Sequence, residues 1–169
     1  ARGEHPEFLV VAGNHGEAEE ILRQARKRGL NMPVLGGDGL EGIQEAGALA
    51  EGVYLSSPYF PAIPTSLNQR FVEAFRKKYP GAGAPNQPAA GTYDAIYLLR
   101  EVIARAGTDR ESVRRALAGV GSSTPSFEGV SGTIGFDASG DVATQNVYIG
   151  LVRRGVVEVQ GSQESMGAR

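Results

Sequence analysis

Within about 30 residues the chain runs FLVVA (Phe8 to Ala12), then GEAEEILRQARKRG (Gly16 to Gly29), then PVLG (Pro33 to Gly36). No other feature constrains its fold as tightly. The first run is continuously apolar and rich in β-branched residues, as in a strand covered on both faces of a parallel sheet. In the middle stretch Ala18, Ile21, Leu22 and Ala25 form a helical stripe. Acids crowd its first turn and bases its last, which complements the helix dipole, and Gly29 closes it. Strand, helix and strand at this spacing make a βαβ unit with a right-handed crossover. A short helix near Leu40 to Gly47 and a third strand, Gly52 to Ser57, extend the pattern. The fold class expected is α/β, with a Rossmann-like parallel sheet.

The texture then changes. PYFPAIP, Pro58 to Pro64, holds three prolines in seven residues and reads as an extended connector. Helices follow at about Leu67 to Tyr79, with Phe71, Val72, Phe75 and Tyr79 on one face, and at Thr92 to Ala106. A third helix is expected to be N-capped by Asp109 and to run to Ala118. Strand texture returns at Gly132 to Phe136, Val147 to Arg153 and Val156 to Val159, divided by DASGD and RRG turns. The chain thus leaves one sheet, builds helices elsewhere and comes back, as in two lobes joined by crossing segments. At 169 residues it is long enough for a sizeable core.

The glycine-flanked acid in VLGGDGL draws attention next. In an open α/β sheet, ligands bind beyond the carboxyl ends of the strands. Asn14 and His15 follow the first strand and Asp38 the second. If those strands are neighbours, the three side chains share one rim, which Gly36, Gly37 and Gly39 leave open. A carboxylate there either takes a cation, such as a ligand ammonium group, or serves as a turn former or helix cap. Asn14 is open to the same alternative, as a helix N-cap.

Other chemistries find little support. The net charge is -2, so nothing points to nucleic acid or an anionic membrane. No apolar run is long enough for a transmembrane helix, and no signal-peptide pattern opens the chain, although a mature exported chain would have lost one. Absence of cysteine excludes disulfides, thiolate metal sites and thiol nucleophiles. GNHGEA lacks both glycine-rich nucleotide signatures, and DASGD is too short for a calcium loop. The two histidines lack metal-ligand spacing and no G-x-S-x-G elbow occurs. No catalytic residue, metal or cofactor is therefore assigned, and an acid–base pair of Asp38 and His15 has no substrate to recommend it.

Taken together, FLVVAG, ARKRGL, PVLGGDGL, EGVYLSSPYF, FVEAFRKKYPG, TYDAIYLLREVIARAG and FEGVSGTIGFDASGD, in this order, resemble the second half of the type I periplasmic solute-binding proteins of branched-chain amino acid ABC transporters. The resemblance spans about Glu7 to Val159. It implies a two-lobed fold: residues 1–60 in the second lobe, 61–128 as helices belonging to the first, and 129–169 returning to the second. PYFPAIP and Gly129 to Gly132 would be crossings, and Tyr93 a helix-packing residue. The resemblance implies that Asp38 takes a ligand's α-ammonium, with Asn14 and His15 lining the pocket. The family often has glutamate at the first position and an aromatic or polar residue at the Asn14 position, and Asn14 in place of an aromatic leaves room for a polar substrate. The implied role is the binding of an amino acid or amide for an ABC permease, in the periplasm or outside the cell, with or without a lipid anchor before processing. A ligand-sensing receptor or regulatory domain of the same fold is the alternative. The partner for the helices would be a missing N-terminal half or a second copy of the chain.

Overall fold

The computed structural model describes residues 6–166; residues 1–5 and 167–169, the outer ends of the first and last expected segments, lie outside that description. The chain forms two compact units, one from residues 1–57 and 148–162, the other from residues 58–147 and 163–169.

In the first unit β1 (Leu9–Val11), β2 (Val34–Gly36) and β3 (Val53–Ser57) pair in parallel, with Leu9 beside Val34 and Val34 beside Val53. β6 (Thr144–Arg153) then runs antiparallel to β3, Tyr54 opposite Leu151 and Ser57 opposite Tyr148, and β7 (Val156–Met166) lies next to it. The sheet is therefore mixed, with the parallel strands β1 to β3 at one side. The RRG turn joins β6 to β7 through Arg154 and Gly155, both at positive φ (51° and 76°), as a hairpin with native strand twist requires. The Arg154 N–H donates to Glu51 Oε2 at 2.9 Å, which anchors this turn in a conformation that non-glycine residues seldom adopt.

α1 (His15–Lys27) links β1 to β2 and buries Ala18, Leu22 and Ala25. Ile21, expected in the same stripe, sits on the shoulder and is 42% exposed. The chain after the helix passes through Gly29 at φ 75°, the left-handed position that glycine fills without strain. Where one short helix was expected, a 3-10 segment Asp38–Leu40 is followed by a second 3-10 stretch, Ile43–Ala50, itself kinked at Gly47 (φ 60°). Gly42, at φ 99°, separates them, and a helix cannot run through that conformation. Their Leu40, Ile43 and Ala50 join Val11, Val34, Val53 and Leu55 in the core. The opposite face of the sheet differs from expectation: Val10 is 63% and Leu35 37% exposed, so the described residues cover only one face of this apolar strand pair.

The second unit is built on α2 (Ser66–Lys78), α3 (Gln87–Ala106) and α4 (Arg110–Ala118). Each helix starts on a side chain that accepts a backbone N–H three residues on: Thr65 Oγ1 from Asn68, Asn86 Oδ1 from Ala89, and Asp109 Oδ2 from Ser112. The cap at Asn86, followed by Pro88 in the first turn, begins α3 five residues before the sequence pattern becomes visibly periodic. Leu98, Val102 and Val120 form its core with Val113, Leu117, Phe127, Ile134 and Phe136 packed around them. The short strands β4 (Phe127–Glu128) and β5 (Thr133–Ile134) pair antiparallel. Rings run in contact from Tyr79 through Phe75, Phe71 and Tyr93 to Tyr97, the closest pair 4.5 Å between centroids. Tyr93 packs between the Phe71 and Tyr97 rings.

PYFPAIP is no loose connector. Tyr59, Phe60 and Ile63 are buried, and Asn68 at the start of α2 binds the segment. The Asn68 amide donates to the carbonyls of Pro61 (3.1 Å) and Ile63 (2.9 Å) and accepts from the Tyr59 hydroxyl (2.8 Å). Asn68→Ala removes three bonds from a fully buried position. The expected cost is about 2–4 kcal/mol, read from the urea midpoint at unchanged slope.

Candidate functional site

The carboxyl ends of β1, β2 and β3 form one rim, because the three strands are parallel neighbours in register. Beyond β1 the chain turns through Gly13 and Asn14 into α1; beyond β2 it turns through Gly37 into the first 3-10 segment. These two turns touch. A Cβ added at Gly39 would overlap the Gly13 carbonyl oxygen and come within 3.8 Å of Asn14 Cα. A Cβ at Gly42 would lie 3.5 Å from the His15 ring. Glycine at 39 is therefore required for the Asp38 turn to lie against the Asn14 turn. A Cβ at Gly36 would overlap the Leu40 side chain, which folds back over the end of β2.

The structure thus brings Asn14, His15 and Asp38 to one edge, all exposed. Neither the Asp38 nor the Asn14 side chain makes the capping bond open to it in the sequence, although Asp38 does sit in a turn, its carbonyl accepting from Glu41 N at 2.9 Å. Asp38 is the first residue inside its 3-10 segment, whose cap position belongs to Gly37, and no hydrogen bond or ion pair joins its carboxylate to any described residue. Asn14 does occupy the N-cap of α1, in extended backbone with its carbonyl accepting from Ala18 N at 3.0 Å. Its side chain, however, makes no capping bond. A carboxylate and an amide remain directed to solvent from adjacent turns, beside an imidazole. Such a set has the chemistry to pair with a small cation that donates hydrogen bonds.

Other candidates resolve as architecture. In DASGD the Asp137 carboxylate accepts from the Ser139 hydroxyl (2.6 Å), the Ser139 N–H (2.9 Å) and the Asp141 N–H (3.1 Å), and these donors, Ser139 Oγ first, hold its carboxyl below the usual range. That is the expected β-turn. Among the described residues no cluster of His, Asp and Glu could hold a metal ion, and no helix is long and apolar enough to cross a membrane.

One buried polar centre was not anticipated. Asp94 of the TYDA stretch is 1% exposed on α3, and its carboxylate accepts from Val130 N (2.7 Å), Ser131 N (2.8 Å) and Ser131 Oγ (2.5 Å). Gly129 lets this loop close, since a Cβ there would stand 2.5 Å from Asp94 Oδ2. Gly129 to Gly132, expected as a crossing, lies inside the second unit, and the chain re-enters the first unit at Tyr148.

Comparison with known proteins agrees with this architecture. The family model described as periplasmic binding protein matches residues 1–156, and the chain belongs to that family. It is 31% identical over 146 residues to the leucine-, isoleucine-, valine-, threonine- and alanine-binding protein of Pseudomonas aeruginosa, which covers 80% of this chain and 35% of that protein. Among solved structures, the leucine-binding protein LivK of Thermotoga maritima superposes with a TM-score of 0.81 at 31% identity, over 93% of this chain and 44% of that one. The branched-chain amino acid transporter substrate binding protein LivJ of Streptococcus pneumoniae, solved with isoleucine, gives 0.80 at 26% identity, over 98% and 46%. The chain therefore spans about a third of the length of its curated relatives. The fold is that of the type I periplasmic binding proteins.

Proposed function

We propose that the chain supplies part of the solute site of an ABC importer's binding protein, at the rim formed by β1, β2 and β3. Asp38 accepts the ammonium group of an amino acid or similar small amine, and Asn14 and His15 hydrogen-bond the rest of the solute that faces this unit. No bond is made or broken. The protein works in the periplasm or at the cell exterior and hands its solute to a membrane permease. The observation that carries this reading is an exposed carboxylate, bonded to no described residue, in a turn held against the Asn14 turn by Gly39. Family membership supports it, and so do the relatives' own names, which specify amino acids.

The test is thermal unfolding of the protein, in the form its organism makes, against a panel of amino acids and small amides at millimolar concentration. A ligand at 100 times its dissociation constant stabilises by about 2.7 kcal/mol, a shift of several degrees. A selective shift with one class of amine-bearing solute is expected. No shift with any of them overturns the proposal.

A further inference from the structure

We infer that the Asp38–Gly39 step is a site of spontaneous covalent modification, where the chain isomerises through a cyclic imide to isoaspartate. This chemistry does not require Asp38 to bind a solute; on the reading above it also limits the lifetime of the solute site.

Ring closure needs a side-chain carboxyl without partners, an unshielded backbone nitrogen directly after it, and a backbone free to bring the two together. The chain has five aspartates, and four fail the first condition. Asp94 accepts from Val130 N and from both donors of Ser131, Asp109 from Ser112 N, Asp137 from Ser139 and Asp141 N, and Asp141 from the Ser139 hydroxyl at 3.2 Å. Those four also precede residues with a Cβ, namely Ala95, Arg110, Ala138 and Val142, which crowds the nitrogen. Asp38 differs on both counts: its carboxylate bonds no described residue and glycine follows it. No asparagine of the chain precedes glycine, so this is its single step of the kind.

The backbone condition is met as well. Asp38–Leu40 is one turn of 3-10 backbone, held by Leu40 N donating to the Gly37 carbonyl (3.1 Å) and Glu41 N to the Asp38 carbonyl (2.9 Å). Bonds of this helix type have poorer geometry than α-helical ones, and short exposed turns open locally at low cost. Gly37 and Gly39 on either side leave the chain free to rotate. The Gly39 N–H donates to no described residue, so its nitrogen enters the reaction without giving up a bond.

Water is the only reagent. With the carboxyl in its acid form, the Gly39 nitrogen attacks Asp38 Cγ. The N–Cγ bond forms, the Cγ–OH bond breaks, and the amide proton and the hydroxyl leave as water. A second water then opens the imide. Attack at Cγ restores aspartate. Attack at the main-chain carbonyl leaves the peptide running through Cβ and Cγ, with a carboxylate pendant on Cα. Nothing is oxidised or reduced. The product has one more main-chain carbon, in a turn where even a Cβ at Gly39 would overlap the Gly13 carbonyl oxygen. That same overlap keeps side chains out of position 39, so an acid at 38 comes with glycine behind it. The vulnerable pair is imposed by the fit of one turn against the other.

The test is incubation of the protein, in the form its organism makes, in mildly acidic buffer at growth temperature, then tryptic digestion and electron-transfer mass spectrometry. Isoaspartate is expected at residue 38 several-fold above its level at the other four aspartates, preceded by a species lighter by one water. Asp38→Glu keeps the charge but needs a larger, slower-forming ring, and should abolish the signal in that peptide, which also contains Asn31 and Asn68. Isoaspartate no more abundant at 38 than at Asp94, Asp109, Asp137 and Asp141 overturns the inference. So does an Asp38→Glu peptide that accumulates it as fast as the wild type.

Discussion

Replacing Asp94 by alanine is expected to lower the unfolding free energy of the second unit by about 3–5 kcal/mol. The carboxylate is 1% exposed and accepts three hydrogen bonds, two from consecutive backbone N–H groups and one from a hydroxyl. Bonds to a charged acceptor are each worth about 1.5–3 kcal/mol, and the variant leaves the Val130 and Ser131 donors without their acceptor. Urea unfolding should show the lowered midpoint, and amide exchange at Val130 and Ser131 should accelerate with it. Gly129→Ala attacks the same junction from the other side, because its methyl would meet the carboxylate at 2.5 Å. On the Asp94→Ala background that clash has no partner, so the double variant should lose less than the sum of the two. Additive losses, or a midpoint unmoved by Asp94→Ala, would show that the loop is held by something else.

This junction explains two motifs that the sequence could only offer as a resemblance. YDA and FEGVSG are 36 residues apart at the bonding atoms, and no periodicity rule connects a helical aspartate to a distant glycine loop. Elements governed by local chemistry were legible. The βαβ order, the Asp109 cap, the glycine closing α1 and the DASGD turn each follow from residues within one or two turns of each other. Where long-range packing decides, reading stopped short. The start of α3 lay in an Asn-Gln-Pro stretch that resembles a loop, and the Pro-rich segment owes its fixed path to Asn68, whose role shows only once α2 is in place. Of the hairpin, β5 lies inside the strand expected at Gly132 to Phe136, whereas the two residues of β4 are too few to leave a pattern. At the site, strand order made Asn14 and Asp38 neighbours on paper, whereas the release of both side chains from capping appeared only in the hydrogen bonds.

Asp38→Asn is the second large effect, and it falls on affinity. Exchanging a carboxylate for its isosteric amide at an ammonium site removes the charge assistance of one or two hydrogen bonds, about 1.5–3 kcal/mol each. Ligand affinity should fall about tenfold to a hundredfold. The unliganded protein should unfold at the same temperature as before, because the carboxylate bonds no described residue. That pairing separates a ligand residue from a structural one. A lowered melting temperature with retained affinity would return Asp38 to the status of a turn former.

The most direct measurement is calorimetric comparison of the best-binding amino acid with its 2-hydroxy acid counterpart, in which a neutral hydroxyl replaces the ammonium. Wild-type protein should bind the hydroxy acid at least tenfold more weakly, and Asp38→Asn should bind the two nearly alike. Equal affinities in the wild type, or a preference that survives in Asp38→Asn, would contradict the assignment of this carboxylate as the ammonium partner.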